Sequence, residues 1–143
     1  MMAGIRSADT RPEMLLRRGL HAMGWRFRLH AGNLPGKPDL VFPKRRAVIM
    51  VHGCFWHGHD CNLFRWPATR TEFWKAKIAS NVRRDQAVRL QLEESGWRQC
   101  DVWECATKGR MRLPAAELLE KCSDFLAGEE PYLCIGHEGT VQI

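Results

Sequence analysis

Ala47-Val48-Ile49-Met50-Val51 is an unbroken apolar run, and it is followed at once by His52-Gly53-Cys54-Phe55-Trp56-His57-Gly58-His59-Asp60-Cys61. A short continuous run rich in β-branched residues reads as a strand buried on both faces. The segment after it packs thiols, imidazoles and large aromatics into ten positions, which is metal and proton-transfer chemistry rather than core chemistry. A cluster of that kind where a strand leaves a sheet is the arrangement in which α/β proteins place their sites.

Working outward, Pro43-Lys44-Arg45-Arg46 reads as a basic turn and Asp39-Leu40-Val41-Phe42 as the strand before it, so a hairpin is expected. Trp25 to His30 alternates apolar and basic residues and predicts a half-buried strand with a cationic outer face. Thr10-Arg11-Pro12-Glu13 opens a helix: Thr10 can cap, Pro12 fits the first turn and Glu13 completes a capping box. Met14, Leu16, Leu20 and Met23 form its apolar face, and Gly24 stops it. Downstream, Arg65 to Arg70 is a basic loop. A long helix is expected over 71–95, with Phe73, Trp74, Ile78, Val82, Leu90 and Leu92 on an apolar side and Gly96 as its stop. Its other face carries Lys75, Lys77, Arg83, Arg84 and Arg89. Residues 97–104 predict a strand, and 114–127 a helix with Leu118, Leu119, Cys122, Phe125 and Leu126 inward. The tail, 129–143, has weak strand character, and residues 1–9 read as a flexible arm. The order α-β-β-β-α-β-α implies a mixed sheet flanked by helices, an α/β fold.

A chain of 143 residues reads as one domain, 1–143. Folding at this size removes roughly 70% of the unfolded chain's surface, enough for a proper core. No apolar run reaches the ~20 residues of a membrane span, and no signal-peptide core is visible in the first thirty positions, so the cytoplasm is the expected address. Net charge is +6, from 22 basic and 16 acidic residues, which favours an anionic partner such as nucleic acid. Six cysteines without a secretory signal point to metal or free thiols rather than disulfides.

Zinc takes four ligands, usually thiolate and imidazole. Cys54, His59 and Cys61 supply three within eight residues. Cys105 is the best fourth, because it follows strand 97–104; if that strand lies parallel to 47–51, their ends coincide. Cys100, Cys122 and Cys134 are worse placed. His57 competes with His59, and spacing alone does not separate them. A Cys₃His site is closed and therefore structural.

Pro38-Asp39 begins a strand with a second strand a short turn later, which resembles the start of the nuclease pattern P-D…(D/E)-x-K. The second half is missing here, and a plain turn aspartate is the competing reading. What strand 47–51 leads into instead is His52 and His57, either able to orient or deprotonate water near neutral pH. Asp39 with Mg²⁺, the backbone carbonyl of Val51 and a histidine base could together hydrolyse a phosphodiester. Glu13 is either a capping residue or an acid supporting that site. Phe55 and Trp56 are either core or exposed wedges of the kind DNA-deforming proteins push between base pairs.

Taken together, His52 to Cys61, Pro67-Ala68-Thr69-Arg70-Thr71-Glu72-Phe73-Trp74, Lys77-Ile78, Asn81, Arg84-Asp85, Val102-Trp103-Glu104-Cys105 and Leu34 to Asp39 resemble the very-short-patch repair DNA mismatch endonucleases over residues 2 to 128. The resemblance implies a restriction-endonuclease-like α/β fold with one structural zinc. It implies a nick 5′ of the thymine in T:G mismatches, which arise when 5-methylcytosine deaminates. By position, Asp39 becomes the Mg²⁺ carboxylate and His57 the general base, with Glu13 and His52 supporting. Cys54, His59, Cys61 and Cys105 become the zinc ligands. Phe55 and Trp56 become intercalating residues, with Met2 on the opposite side of the mismatch. Val51 stands where some relatives have threonine, and the arm before Met2 is expected to be short. A monomer on double-stranded DNA, nucleoid-associated, is expected, with mismatch-repair proteins as candidate partners. Two other readings stand beside this one: a zinc-stabilised DNA-binding module without catalysis, and a nuclease of the same fold for another lesion or sequence.

Overall fold

The computed structural model describes residues 10–137 and the backbone of 139–141. The expected arm at 1–9, and with it Met2, lies outside the described residues. The elements run α1 (Arg11–Ala22), β1 (Arg28–Leu29), β2 (Leu40–Phe42), β3 (Ala47–His52), α2 (Thr71–Glu94), β4 (Arg98–Trp103), α3 (Ala115–Ala127), β5 (Tyr132–Gly136) and β6 (Gly139–Val141). The strands form one mixed sheet in chain order, β1-β2-β3-β4-β5-β6.

The hairpin around the basic turn is present. β2 runs antiparallel to β3 with Leu40 opposite Ile49. Pro43–Arg45 makes a single 3₁₀ turn that ends with Arg46 in the left-handed region at φ 47°. β3 and β4 pair in parallel, with His52 opposite Trp103, so the ends of these two strands do coincide. β4 and β5 are also parallel, and β6 folds back antiparallel on β5. The tail thus contributes two strands, one of them with Leu133 and Ile135 in the core, where only weak strand character is readable.

Period-2 alternation divides the sheet into two faces. Leu40, Phe42, Ala47, Ile49, Cys100, Val102, Leu133 and Ile135 point into one core, which also takes Leu16 and Leu20 of α1 and Leu118, Cys122, Phe125 and Leu126 of α3. Val41, Val48 and Met50 point the other way and meet Leu92 and Val88 of α2. α1 and α3 approach closely at Gly19, where an added Cβ would lie 2.4 Å from the Leu119 methyls. The C-terminus of α3 has no basic residue of its own in the last turn. Its free carbonyls are taken by distant arginines instead: Arg45 donates to Leu126 and Ala127, each at 2.7 Å, and Arg98 to Phe125 at 2.8 Å.

Three expectations need correction. The strand expected at 25–30 shrinks to Arg28–Leu29, because Trp25 and Phe27 turn into the first core rather than alternating along an edge; Trp25 donates to Ser123 Oγ at 2.9 Å. Met23 is exposed, beyond the last residue of α1. The buried side of α2 is narrower than expected: Ile78 and Leu92 are buried, whereas Phe73 is 47% exposed and Leu90 57%. Gly96, at φ +82°, ends that helix as anticipated. No helix among the described residues is long and apolar enough to cross a membrane.

Candidate active site

Beyond β3 the chain makes a tight knuckle held by its own backbone, with His57 N donating to Gly53 O at 3.2 Å and His59 N to Cys54 O at 2.9 Å. Gly58, at φ +62°, sits against α2, where a Cβ would meet Ile78 at 2.8 Å; glycine is required there for both reasons. The fold brings Cys54, His59, Cys61 and Cys105 together, with one donor atom from each lying within 4.8 Å of all the others. His59 Nδ1 is 3.5 Å from Cys54 Sγ and 3.6 Å from Cys105 Sγ. Four ligands at tetrahedral zinc distances stand roughly 3.5–3.8 Å apart, so this donor set and spacing fit that ion. The surroundings suit anionic sulfur: backbone N–H groups of Cys105, Leu63 and His137 donate to Cys54, Cys61 and Cys105 respectively. Hydrogen bonds from Cys54, His59 and His137 hold the Cys105 thiol well below the usual thiol range, while Cys54, sharing its proton with Cys105 and buried, is pushed up. The His59 ring lies flat on Trp103 at 4.1 Å, which fixes its plane. His57 is not part of this cluster; it faces the other way.

That other side is a cavity of about 620 Å³ between α2 and the ends of β3 and β4. Asp39, Val51, His52 and His57 all line it. Asp39 is anchored by Val51 N, which donates to Oδ2 at 2.7 Å. Burial, offset in part by that bond and reinforced by the charge of Glu13, raises the Asp39 carboxyl to about 6. Glu13, only 1% exposed, donates its backbone N–H to Thr10 Oγ1 at 3.4 Å, while its side chain reaches His30, whose Nε2 meets Glu13 Oε2 at 2.7 Å. Arg17 closes an ion pair on the same carboxylate. Thr10 thus caps the helix while the Glu13 carboxylate turns to His30 and Arg17, and Glu13, His30 and Asp39 lie close enough together to hold a cation, as do His52, His57 and Asp85.

His57 Nδ1 is hydrogen-bonded to Asp85 of α2, and His52 Nε2 to Asp101 of β4 at 2.8 Å. The two imidazoles lie 4.6 Å apart, ring to ring. Burial opposes charge on His52, yet the Asp101 carboxylate raises its pKa above the ordinary value; burial also works against Asp101, which the same pairing brings down. Lys37, Arg84 and Arg89 add positive charge to the cavity wall.

Phe55 and Trp56 are half-buried. They belong to an aromatic patch on the knuckle in which Phe55 meets Phe64 at 6.0 Å and Trp74 at 5.4 Å, and Trp66, 47% exposed, packs on Phe64 at 4.9 Å. Asn81 of α2 ties the patch down by donating to Trp56 O at 2.9 Å.

Four cavity-side residues escaped the sequence reading as site groups: His30, Asp85, Asp101 and Tyr132. Two of them left a trace. Asp85 lies on the inward stripe of α2 with Ile78, Asn81, Val82 and Leu92, at spacings of three and four, where an acid is out of place. Asp101 interrupts a buried strand.

A sheet whose parallel strand ends open on a cavity of carboxylates and imidazoles, next to a closed thiol cluster, defines an α/β protein with candidate metal-binding groups of two different chemistries. The family model for DNA mismatch endonuclease Vsr matches residues 1–63. The DNA mismatch endonuclease Vsr of Escherichia coli is 47% identical over 128 residues, spanning 90% of this chain and 82% of that one. A type II nicking enzyme of Xanthomonas oryzae pv. oryzae, V.XorIIP, is 50% identical over 105 residues (73% of this chain, 77% of the relative). Another from Neisseria meningitidis, V.NmeAIP, is 41% identical over 110 residues (77% and 79%). The chain belongs to the Vsr family of DNA mismatch endonucleases.

Proposed function

We propose that the protein is a DNA endonuclease that nicks one strand of a T:G-mismatched duplex, 5′ of the thymine, as a monomer on double-stranded DNA. The observation that carries this reading is that Asp39, His52 and His57 line one cavity, with the two imidazoles 4.6 Å apart and the paired rings of Phe55 and Trp56 immediately before His57 in the chain. The donor chemistry fits Mg²⁺: a desolvated carboxyl on Asp39 and the backbone carbonyl of Val51 are the hard oxygen ligands that ion takes, with water completing the shell. When bound there, Mg²⁺ supplies positive charge against the negative charge that builds on the phosphate. Cys54, His59, Cys61 and Cys105 would hold Zn²⁺, which keeps the knuckle rigid.

The chain's own residues supply the rest. His57, oriented by Asp85 through Nδ1, has Nε2 free to take the proton of an attacking water. Glu13 holds His30 beside Asp39, and its charge helps keep the Asp39 carboxyl protonated until a cation binds. Lys37, Arg84 and Arg89 meet backbone phosphates. Phe55 and Trp56, braced by Asn81 and Trp74, wedge into the base stack at the mismatch, where unstacking costs least.

Two relatives are named as nicking enzymes rather than as the mismatch endonuclease itself, which makes the sequence context of the nick the open variable. The test is a nicking assay with Mg²⁺ on matched duplexes, T:G duplexes and duplexes with other mismatches, each in several flanking contexts. Nicking confined to T:G, 5′ of the thymine, supports the proposal. Cutting at other lesions replaces it with a different specificity, and binding without cutting replaces it with a non-catalytic DNA-binding module.

A further inference from the structure

Asp101 sits in the middle of β4 between two fully buried neighbours, Cys100 and Val102, and is itself 7% exposed. An aliphatic side chain would suit that pattern without the desolvation that a buried carboxylate suffers. Both of its oxygens are nonetheless engaged. Oδ1 accepts from His52 Nε2 and from Gln99 Nε2, each at 2.8 Å, and Oδ2 accepts from the Tyr132 hydroxyl at 2.6 Å. The three donors come from β3, β4 and β5, so three adjacent strands converge on one carboxylate.

The geometry restricts His52 in two ways. The ring nitrogen that faces a carboxylate carries the hydrogen, so the neutral ring is the Nε2–H tautomer and Nδ1 keeps the lone pair. The ring also lies between His57, at 4.6 Å, and Trp103, at 4.8 Å, and cannot turn without leaving Asp101. Tyr132 is in turn covered by the Arg89 guanidinium of α2, 3.4 Å from its ring centre. His52, Asp101, Gln99, Tyr132 and Arg89 all line the cavity that holds Asp39 and His57.

We infer that Asp101 and Tyr132 are positioning residues, which hold His52 in one orientation and one tautomer so that Nδ1 is the nitrogen presented to the substrate. The inference rests on the reading of His52 as an active-site residue. Gln99 completes the clamp, and Arg89 closes it against the helix.

The test uses the full-length protein with zinc and Mg²⁺, a T:G duplex, and the variants Asp101→Asn and Tyr132→Phe. Asparagine keeps the volume but can turn either an oxygen or an NH₂ toward His52, so the tautomer is no longer dictated. Asp101→Asn is expected to lower kcat about tenfold, as lost supporting partners of site histidines do, with KM for the duplex within about twofold. Tyr132→Phe should lower kcat by roughly threefold in the same way, since one of the three hydrogen bonds on the carboxylate is lost. The ¹⁵N signals of the His52 ring should change from a single Nε2–H tautomer to a mixture in Asp101→Asn. Wild-type kcat in both variants, or a reduced melting temperature with an unchanged His52 pattern, would overturn the inference and leave Asp101 as a packing residue. If Asp101→Asn does not fold, Tyr132→Phe decides by kcat alone: a threefold fall at unchanged melting temperature supports the inference, and wild-type kcat overturns it. Absence of nicking by the unmodified protein is a failure of the proposed function, and the ring-nitrogen pattern still decides the positioning role.

Discussion

The thiol knuckle and the carboxylate cavity meet at the end of β3, back to back across Trp103, and they are built on opposite plans. The knuckle draws three of its four donors from eight consecutive residues, closes them with backbone N–H groups and leaves little room for anything but an ion. The cavity gathers its groups from the segment between β1 and β2, the end of β3, His57 of the knuckle, α2, β4 and β5, and keeps a volume of about 620 Å³ open among them. One region uses local chain geometry for rigidity. The other uses the whole fold to hold a carboxyl where it is reluctant to ionise. A site meant to stay shut can be written in one short segment, whereas a site meant to receive a substrate needs walls from many.

The comparison breaks first at the thiols. Cys105→Ala should remove the bound zinc and with it the knuckle, giving a large fall in melting temperature and loss of all activity, because structural zinc contributes on the order of 10 kcal/mol to small sites. Metal analysis and a thermal melt on the same sample check this; full stability with no zinc would remove the structural role. Asp85→Ala is the matching change on the cavity side. It should lower kcat on the order of a hundredfold by freeing the His57 ring, with zinc content and melting temperature unchanged. Equal loss of stability in both variants would erase the proposed division of labour.

Acidity sharpens the contrast further. Asp39 holds its proton to about 6 in the fold, against 3.8 as an ordinary aspartate. Between those values the folded chain binds more protons than the unfolded one, so this group's contribution to stability is full below 3.8 and is lost as pH rises to about 6. Mg²⁺ competes with the same proton, so its affinity should increase as pH rises through about 6. Isothermal titration with Mg²⁺ at a series of pH values reads this directly; a flat profile would detach Asp39 from the ion. The smallest effect is expected at an exposed charge outside both centres. Lys77→Ala, on the exposed side of α2, should lower the slope of log affinity against log salt by about 1 if that side meets a phosphate. An unchanged slope would mark it as a solvated helix face.

The two regions also differed in how much of them could be read before the fold. Cys54, His59 and Cys61 announce themselves by spacing, and Cys105 follows once strands 47–51 and 97–104 are taken as parallel neighbours, as β3 and β4 are. The hairpin was legible from Asp39 to Val51 because polar turn residues separate two apolar runs. The partners of the histidines were not. Asp85 and Asp101 are 28 and 49 positions from the rings they touch, and Tyr132 lies in a tail whose strands depend on pairing with β4 rather than on local pattern. The expected strand at 25–30 failed for a related reason: its aromatics are drawn to Phe42 in the core, and tertiary packing overrides the alternation.

The most direct measurement is the activity of Asp39→Ala on a T:G duplex with Mg²⁺, read beside its zinc content and melting temperature. Nicking should disappear while the metal in the thiol cluster stays bound and the fold is kept. Nicking that persists in that variant would contradict the account, because the cavity carboxylate would then have no part in the reaction.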